Sequence, residues 1–321
     1  MKQAYETVQL DAGEVFSGQK SNTPITGFKS SSSNTPAVDE NFIFGDLAKD
    51  VVVFFLQSDP DPLFIFGDTG TGKSSLVRQI AGRLRYPVWE STGSERLEVG
   101  DLIGHLTLKK GNMEFSDGPL TAALRAGGVF MLNELDAVNP AVLIMLNTLF
   151  DHQPLLIPET NELVVPAPTF RFVATANTAG NGDETGRFTG TNQLNQAFMD
   201  RFTILKADYP APEEEKRLLA ARYPALPEQV RSGMVEVAGK VRAMLSSDNL
   251  EHTPGVDIVL STRTLLRWCE LTLCYQSLAS SGVSPLLYAL DRAAGFRAGR
   301  EGRALLHELC QRIFGISDNK E

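Results

Sequence analysis

The feature that most constrains this chain is a glycine-rich loop between an apolar segment and a helical pattern. Residues 63–66 read LFIF, a short apolar run between turn residues that predicts a buried strand. The loop GDTGTG follows at 67–72, and Leu76, Ile80 and Leu84 then recur at helical spacing. A buried strand joined to a helix by a tight loop predicts a layered α/β fold.

The loop and the start of the helix fit the pattern G-x-x-x-x-G-K-[ST]. Glycines let the backbone N–H groups point inward at phosphate oxygens, and the helix adds its positive N-terminal end. Lys73 is expected to reach the β- and γ-phosphates, and the Ser74 hydroxyl is expected to bind Mg²⁺. The sequence therefore predicts a nucleotide site formed by Gly67, Asp68, Thr69, Gly70, Thr71, Gly72, Lys73, Ser74 and Ser75.

A second apolar segment, at 129–132, ends in polar residues, as a nucleotide site requires. In P-loop ATPases such a strand end carries a carboxylate for the Mg²⁺ shell and a second acidic group beside the attacking water. Glu134 fits the second position. Asn133 occupies the first, where its oxygen can accept a bond from metal-bound water but adds no negative charge. The alternative interpretation is an ordinary strand end.

A third apolar strand is predicted at 170–176 and ends at Asn177. The Asn177 side chain is placed to orient an attacking water, although asparagine is also a common turn residue. Arg201 follows a predicted helix at 192–199 and precedes a strand at 203–205, where it could reach a nucleotide in an adjoining subunit. An ion pair between Arg201 and Asp200 is the alternative.

Beyond residue 209 the pattern becomes wholly helical. Pro212 followed by three glutamates is a strong signal for a helix N-terminus. Ser261 opens a later helix and places Arg263 in its first turn, where a cation opposes the helix dipole. That local cost suits an arginine retained to bind phosphate. We expect three regions: a flexible polar region at 1–38, an α/β nucleotide-binding core at 39–209 and a helical lid at 210–321.

Composition excludes several classes of protein. The net charge of −9 and the pI of about 5.1 disfavour broad binding to nucleic acid. The apolar run at 51–56, which no other run exceeds, is too short to span a membrane, and the N-terminus lacks the apolar core of a signal peptide. Cys269, Cys274 and Cys310 have no metal-type spacing, so buried free thiols and a cytoplasmic location are expected.

These segments together resemble the AAA+ ATPases, and within them the MoxR-like branch with its CobS-like chains. The resemblance covers roughly residues 36–270. Its most specific carriers are ATANTAGNGDETG at 174–186, GTNQLNQ at 190–196 and Asp200-Arg201, and Gly118-Pro119-Leu120 matches a further family segment. The resemblance implies a three-layer core with a parallel five-stranded sheet, followed by an all-α lid.

The resemblance also implies roles by position: Walker A for Lys73 and Ser74, Walker B for Asn133 and Glu134, sensor 1 for Asn177, arginine finger for Arg201 and sensor 2 for Arg263. ATP and Mg²⁺ are the implied cofactors, and Lys73, Glu134, Asn177 and Arg201 are the implied catalytic set. Asn133 stands where the family usually has aspartate, which bears on the hydrolysis rate rather than on nucleotide binding.

Proteins of this family usually form hexameric rings with nucleotide between subunits, and they commonly act with a partner that carries a von Willebrand A domain. Predicted hairpins at 106–115 and 155–165 would face the central pore or the partner. The expected function is ATP hydrolysis coupled to remodelling or activation of a protein partner, of the metal-chelatase type among other possibilities.

Three alternatives stay open at this point. Asn133 allows a nucleotide-gated scaffold with slow or no hydrolysis. A motor on nucleic acid is disfavoured by the acidic charge balance. A P-loop kinase for a small molecule is disfavoured by the position of Arg263 and by the helical lid. The sequence does not identify the partner or the number of subunits in the ring.

Overall fold

A computed structural model of the chain describes residues 5–182, 190–245 and 258–316. Its residues form two compact units. The first comprises the chain up to Glu40 together with Asp46–Asp68 and Gly72–Ala207. The second comprises Asn41–Gly45, Thr69–Thr71 and the chain from Asp208 onward. The short segment 69–71, from the centre of the glycine-rich loop, thus belongs to the second unit.

The strands are β1 (Thr7–Asp11), β2 (Pro24–Phe28), β3 (Leu63–Phe66), β4 (Val88–Thr92), β5 (Gly104–Lys109), β6 (Asn112–Asp117), β7 (Val129–Asn133), β8 (Leu155–Ile157), β9 (Glu162–Val164), β10 (Arg171–Ala176) and β11 (Thr203–Lys206). The helices of the first unit are α1 (Ala12–Ser17), α2 (Leu47–Leu56), α3 (Lys73–Arg83), α4 (Val99–Ile103), α5 (Pro119–Ala126), α6 (Pro140–Phe150) and α7 (Gln196–Met199). Those of the second unit are α8 (Pro212–Arg222), α9 (Glu228–Leu245), α10 (Thr262–Cys274), α11 (Pro285–Ala293) and α12 (Arg300–Phe314).

The central sheet has the strand order β11-β3-β10-β7-β4, and its neighbouring strands are parallel. This confirms the expected five-stranded parallel sheet. Ala176 pairs with Phe66, and Thr92 pairs with Asn133. Because parallel strands end at the same edge, this register gathers the loop after β3 and the polar residues after β7 and β10 at one edge.

The core of the first unit includes aromatic side chains packed against the sheet. The Phe172 ring lies 4.7 Å from Phe150 and 5.5 Å from Phe130, and Phe64 lies 5.8 Å from Phe202. Each such ring stabilises the fold through its buried apolar area, and truncating one to alanine costs about 3–5 kcal/mol. The strands that carry the polar residues are therefore held by a closely packed aromatic core.

The N-terminal residues differ from the flexible region expected at 1–38. Strands β1 and β2 form an antiparallel hairpin, and both Ile25 and Phe28 are 1% exposed. The Phe28 ring packs edge-to-face against the Tyr86 ring, with centroids 4.8 Å apart. The backbone N–H of Phe28 donates to the Leu84 carbonyl at 2.9 Å. Ile25 and Phe28 are three positions apart in the short strand β2, so they show no regular alternation among the surrounding serines and threonines.

Helix boundaries follow local capping chemistry. Helix α6 begins where the Asn139 side chain accepts from the Ala141 N–H. The helix predicted at 192–199 is shorter, because Asn195 caps α7 by accepting from the Ala197 N–H. A polar side chain that can bond to the backbone competes with helix extension, and this explains the difference.

The helices of the second unit pack around Trp268, which is fully buried and donates its indole N–H to the Leu286 carbonyl at 2.9 Å. Cys269 and Cys310 are buried as expected, and burial raises the pKa of each thiol to about 12. Cys274 is exposed, contrary to the expectation, because it ends α10 on the outer face of that helix. Within the described residues, no helix is long and apolar enough to cross a membrane.

Candidate nucleotide site

Backbone conformation sets the shape of the glycine-rich loop. Gly67, Gly70 and Gly72 all have positive φ, at 148°, 80° and 92°. A Cβ added to Gly67 would lie 2.1 Å from the Ala207 carbonyl oxygen, so no other residue fits there. Gly72 precedes α3 and has no side chain to cap the helix. The first N–H groups of α3 are therefore left for an anionic ligand.

The middle of the loop is held within the second unit. The Tyr209 hydroxyl donates to the Thr69 carbonyl at 2.9 Å. A Cβ added to Gly70 would lie 2.5 Å from the Cβ of Ser261 and 3.7 Å from that of Arg263. Arg263 is exposed in the first turn of α10 and lies beside the loop glycine. Its contact with phosphate stays a prediction.

Lys73, the first residue of α3, links the loop to the end of β10. Its ammonium donates to the carbonyls of Gly67 and Asp68, the latter at 3.0 Å, and to Asn177 Oδ1 at 3.3 Å. Two residues that the sequence assigned to one site from 104 positions apart are therefore in direct contact. A cation bonded to neutral oxygens at the mouth of the loop can exchange these bonds for phosphate oxygens.

Ser74 and Asn133 form a second contact across the same edge. The Ser74 hydroxyl lies 2.5 Å from Asn133 Oδ1, and the Thr175 hydroxyl lies 3.1 Å from that oxygen. Hydroxyl and amide oxygens are the kind of ligand that Mg²⁺ accepts, and Mg²⁺ is commonly held by a few such groups plus nucleotide phosphates. The described residues contain no cluster of three His, Cys, Asp or Glu side chains for a metal. These residues therefore fit a magnesium ion that arrives with a nucleotide better than a permanently held metal.

Glu134 follows directly and has an unusual backbone conformation. Its φ of 56° and ψ of 48° lie in the left-handed region, which costs a non-glycine residue about 1–2 kcal/mol. The turn is fixed by Gly93, whose N–H donates to the Asn133 carbonyl at 2.6 Å. The Glu134 side chain is exposed, and the structure records no hydrogen bond or ion pair from it to another described residue. The carboxylate is thus presented to solvent by a strained turn.

Asp136 is a site residue that sequence reasoning missed. It is 1% exposed, and its Oδ2 accepts from the Asn177 N–H at 3.2 Å, the Thr178 N–H at 3.1 Å and the Thr178 hydroxyl at 2.9 Å. Asp136 therefore fixes the turn on which Asn177 sits. The sequence shows an aspartate two positions after Glu134, but no local pattern indicates that its partners are Asn177 and Thr178.

Arg201 does not pair with Asp200 in the structure. Its guanidinium donates to Asp151 through Nε at 2.8 Å and Nη2 at 3.2 Å, and to the Ala197 carbonyl at 2.6 Å. The bond from Arg201 holds the pKa of the Asp151 carboxyl below its usual range. Arg201 thus forms a surface ion pair, but with Asp151 rather than with Asp200. A role for Arg201 at the nucleotide of a neighbouring subunit stays a prediction.

The structure therefore brings Lys73, Ser74, Asn133 and Asn177 together at one sheet edge, with Glu134 exposed beside them. Residues 183–189, which carry part of the family-like loop, lie outside the described residues. A P-loop after β3, with polar side chains at the same-edge ends of β7 and β10 in one parallel sheet, defines a P-loop nucleotide-binding protein of the AAA type.

Comparison with known proteins gives the same class and a narrower family. The AAA domain of the dynein-related subfamily matches residues 62–202, and the Midasin AAA lid domain matches residues 191–317. Aerobic cobaltochelatase subunit CobS from Sinorhizobium sp. is 29% identical over 96% of this chain and 91% of its own length. Protein NorQ from Paracoccus denitrificans is 32% identical over 72% of this chain and 83% of its own length. The chain belongs to the MoxR-like AAA+ ATPases.

Among solved structures, a point mutant of RuvB from Thermotoga maritima is similar with a TM-score of 0.50 and 15% identity. The match covers 81% of this chain and 73% of that one. At this identity the likeness concerns the fold alone. It agrees with a P-loop α/β unit followed by helices.

Proposed function

We propose that this protein hydrolyses ATP with Mg²⁺ and uses the energy to activate or remodel a protein partner. The observation that carries the proposal is the pair of contacts across the sheet edge, Lys73 with Asn177 and Ser74 with Asn133. The first contact supports a role for the Lys73 ammonium in binding a γ-phosphate, and the second supports a role for the Ser74 and Asn133 oxygens in binding Mg²⁺ beside it. A loop that bound only a small anion would not need both.

Each residue has a distinct task in this proposal. Lys73 exchanges its carbonyl bonds for β- and γ-phosphate oxygens and neutralises their charge. Ser74 and Asn133 would hold Mg²⁺, which would neutralise charge on the nucleotide phosphates. Glu134 accepts the proton of the attacking water, and Asn177 orients that water. The hydrogen bonds of Asp136 keep the backbone of Asn177 in place during these steps.

We further propose that the site is completed by Arg201 from a neighbouring subunit in a hexameric ring. An arginine finger contributes about 10³–10⁵ in rate to related phosphoryl transfers. In the structure the Arg201 guanidinium is paired with Asp151. Ring assembly would exchange this exposed pair, which stabilises little, for contacts with the neighbour's nucleotide. An isolated monomer should therefore be nearly inactive.

A protein partner, with a von Willebrand A domain as the family resemblance suggests, would contact exposed apolar hairpins. Leu108 and Met113 on the β5–β6 hairpin are 71% and 61% exposed. Leu163 in β9 and Val165 just beyond it are 62% and 69% exposed. Apolar side chains clustered at hairpins are more typical of contact surfaces than of free solvent-exposed turns.

The test of ATP hydrolysis is Mg²⁺-dependent turnover measured against protein concentration. We expect turnover per subunit to rise with concentration, because the site needs a neighbour. Glu134→Gln should abolish turnover and keep ATP binding, and Glu159→Gln, a matched change at an exposed glutamate, should do neither. Absence of ATP binding in the native protein would refute the proposal.

The finger is tested by Arg201→Ala. We expect ATP binding to persist and turnover to fall by about 10³-fold or more. Arg312→Ala is the matched control, since Arg312 also pairs with an exposed carboxylate, Glu308, at 2.7 Å. Turnover in Arg201→Ala equal to that of the control would remove the finger assignment and leave the P-loop assignment intact.

A nucleotide-gated scaffold is the second candidate, and Asn133 is the observation that favours it. Asparagine holds a metal less strongly than aspartate because it brings no charge. If ATP serves mainly to stabilise the ring, Asn133→Asp should raise turnover sharply, since hydrolysis would be limited at the metal. Unchanged turnover in Asn133→Asp, beside substantial turnover in the native protein, would reject the scaffold.

A further inference from the structure

Asn133 creates a problem that an aspartate at this position would not have. A carboxylate presents oxygen whichever way it turns, but an amide presents oxygen in one orientation and an N–H donor in the other. An N–H group aimed at Ser74 would repel a cation at the proposed metal site. Some neighbour must therefore select the orientation of the amide.

The hydroxyl groups around Asn133 cannot make that selection. Ser74 Oγ and Thr175 Oγ1 both lie within hydrogen-bond distance of its oxygen, at 2.5 and 3.1 Å. A hydroxyl can rotate to donate or accept, so either orientation of the amide would satisfy both. Only a group that accepts without donating, or the reverse, can distinguish the two ends of the amide.

Glu90 is such a group, because an ionised carboxylate only accepts. It stands in β4 two residues before Thr92, which pairs with Asn133 across the sheet. Its Oε2 accepts from Asn133 Nδ2 at 3.2 Å. Turning the amide over would place the Asn133 oxygen against this carboxylate, which is repulsive.

Arg78 keeps the Glu90 carboxylate in place. Its Nε donates to Glu90 Oε1 at 2.6 Å, and its Nη2 donates to Oε2. Arg78 stands one helical turn after Ser74 on α3, so both residues face the sheet. The contacts close a circuit from α3 through Ser74, Asn133 and Glu90 back to Arg78 on the same helix.

We propose that Glu90, held by Arg78, is a positioning residue that turns the Asn133 amide oxygen toward the metal side of the nucleotide site. The inference rests on the proposed function, because it concerns magnesium bound with a nucleotide. It assigns a role to a β4 carboxylate that does not itself reach the phosphates. The pair Glu90–Arg78 compensates for asparagine by fixing its direction rather than by supplying the missing charge to the metal.

The test is the Mg²⁺ dependence of ADP binding, measured by calorimetry over a series of Mg²⁺ concentrations and again in EDTA. In Glu90→Ala we expect the Mg²⁺ concentration for half-maximal enhancement of binding to rise about tenfold or more, as for other groups that orient a ligand. ADP affinity in EDTA should not change. Glu90→Gln can donate as well as accept, so it should lose the selection and raise this Mg²⁺ concentration in the same direction.

Two further variants separate positioning from other roles. Glu162→Ala is the matched control, because Glu162 also accepts two bonds from an arginine, Arg125, at 2.7 Å each. It should leave the Mg²⁺ dependence unchanged. In an Asn133→Asp background, Glu90→Ala should no longer weaken Mg²⁺ binding, because a carboxylate has no wrong orientation.

The outcomes separate the two proposals. An equal loss of Mg²⁺ dependence in both backgrounds, or no loss in either, would overturn the positioning role while ADP binding by the native protein still supports the P-loop assignment. A native protein that binds no ADP with or without Mg²⁺ would overturn the proposed function and this inference together.

Discussion

Each unit of the molecule contains a carboxylate that is almost fully buried, and the two are stabilised in opposite ways. Asp136 in the first unit and Glu215 in the second are both 1% exposed. Asp136 Oδ2 accepts from two backbone N–H groups and one hydroxyl, all uncharged. Glu215 accepts two bonds from the Arg242 guanidinium, at 2.8 and 2.9 Å, and one from the Thr262 hydroxyl at 2.7 Å.

The difference separates two uses of a buried charge. Glu215 joins α8 to α9 and to the start of α10, so its ion pair fastens helices together. Asp136 joins the turn after β7 to the turn after β10, so its bonds hold a short loop at the proposed site. A cation as partner favours cohesion of a helical unit, whereas backbone N–H groups as partners favour accurate placement of the backbone.

The largest effect is expected at Glu215. Glu215→Ala leaves the Arg242 guanidinium, whose side chain is 13% exposed, without its carboxylate, and should destabilise the second unit by about 3–5 kcal/mol. The chain has two tryptophans, Trp89 in the first unit and Trp268 in the second. In a Trp89→Phe background, urea unfolding followed by Trp268 fluorescence measures this loss. An unchanged midpoint would mean that the pair adds nothing to cohesion.

Asp136→Ala should cost less stability, about 2 kcal/mol, because its partners are neutral and water can replace the carboxylate. Its effect on ATP turnover should be larger than its effect on folding, since Asn177 loses its backbone anchor. Ile25→Ala, in the β1–β2 hairpin of the same unit, is the control for destabilisation alone, at about 2–5 kcal/mol. If both variants keep native turnover per folded molecule, Asp136 has no special positioning role.

Thiol labelling gives a second, smaller-scale test of the same comparison. Burial raises the pKa of Cys269 and Cys310 to about 12, so in the native protein at pH 8 a thiol reagent should modify Cys274 alone. Glu215→Ala should make the two buried thiols reactive by loosening the helical unit. Asp136→Ala should not, and equal reactivity in the two variants would contradict the assignment of each carboxylate to its own unit.

The smallest effect is expected at an exposed carboxylate, Asp151. Arg201 lowers the Asp151 pKa, so the pair stabilises the fold above the ordinary pKa of about 3.9 and this contribution is lost as pH falls through the lowered value. Asp151→Asn should therefore leave the urea midpoint at pH 7 nearly unchanged and remove a small pH dependence below about pH 4. A large loss of stability at pH 7 would show that solvent exposure does not determine how much each carboxylate contributes to stability.

The site residues whose type is dictated by the chemistry of phosphate and metal binding could be predicted from sequence. The loop needs glycine where φ is positive, and the lysine and serine that follow must reach phosphate and metal, so these positions carry a strong local pattern. Asn177 and Asn133 were each expected from the polar end of an apolar segment, and in the structure each lies at the end of a parallel strand. Ser74, 59 positions before Asn133, contacts it because parallel strands end at the same edge.

The remainder depends on contacts that no local pattern records. The partner of Arg201 is 50 positions away at the end of α6, and an adjacent aspartate was the more obvious choice. Glu90 accepts a hydrogen bond from Asn133 diagonally between the adjacent strands β4 and β7. Predicting that contact requires knowing the register of the sheet. The β1–β2 hairpin was obscured because its two most buried residues, Ile25 and Phe28, lie among polar neighbours.

The strained turn at Glu134 has a consequence for how this protein would respond to selection. Glycine at this position would relieve the left-handed conformation and gain up to about 1 kcal/mol, while removing the exposed carboxylate. A library screened for heat resistance alone would therefore accumulate glycine at position 134. The same library screened for ATP turnover would retain glutamate, so the ratio of the two residues after parallel screens would measure how much stability the chain forgoes to keep its chemistry.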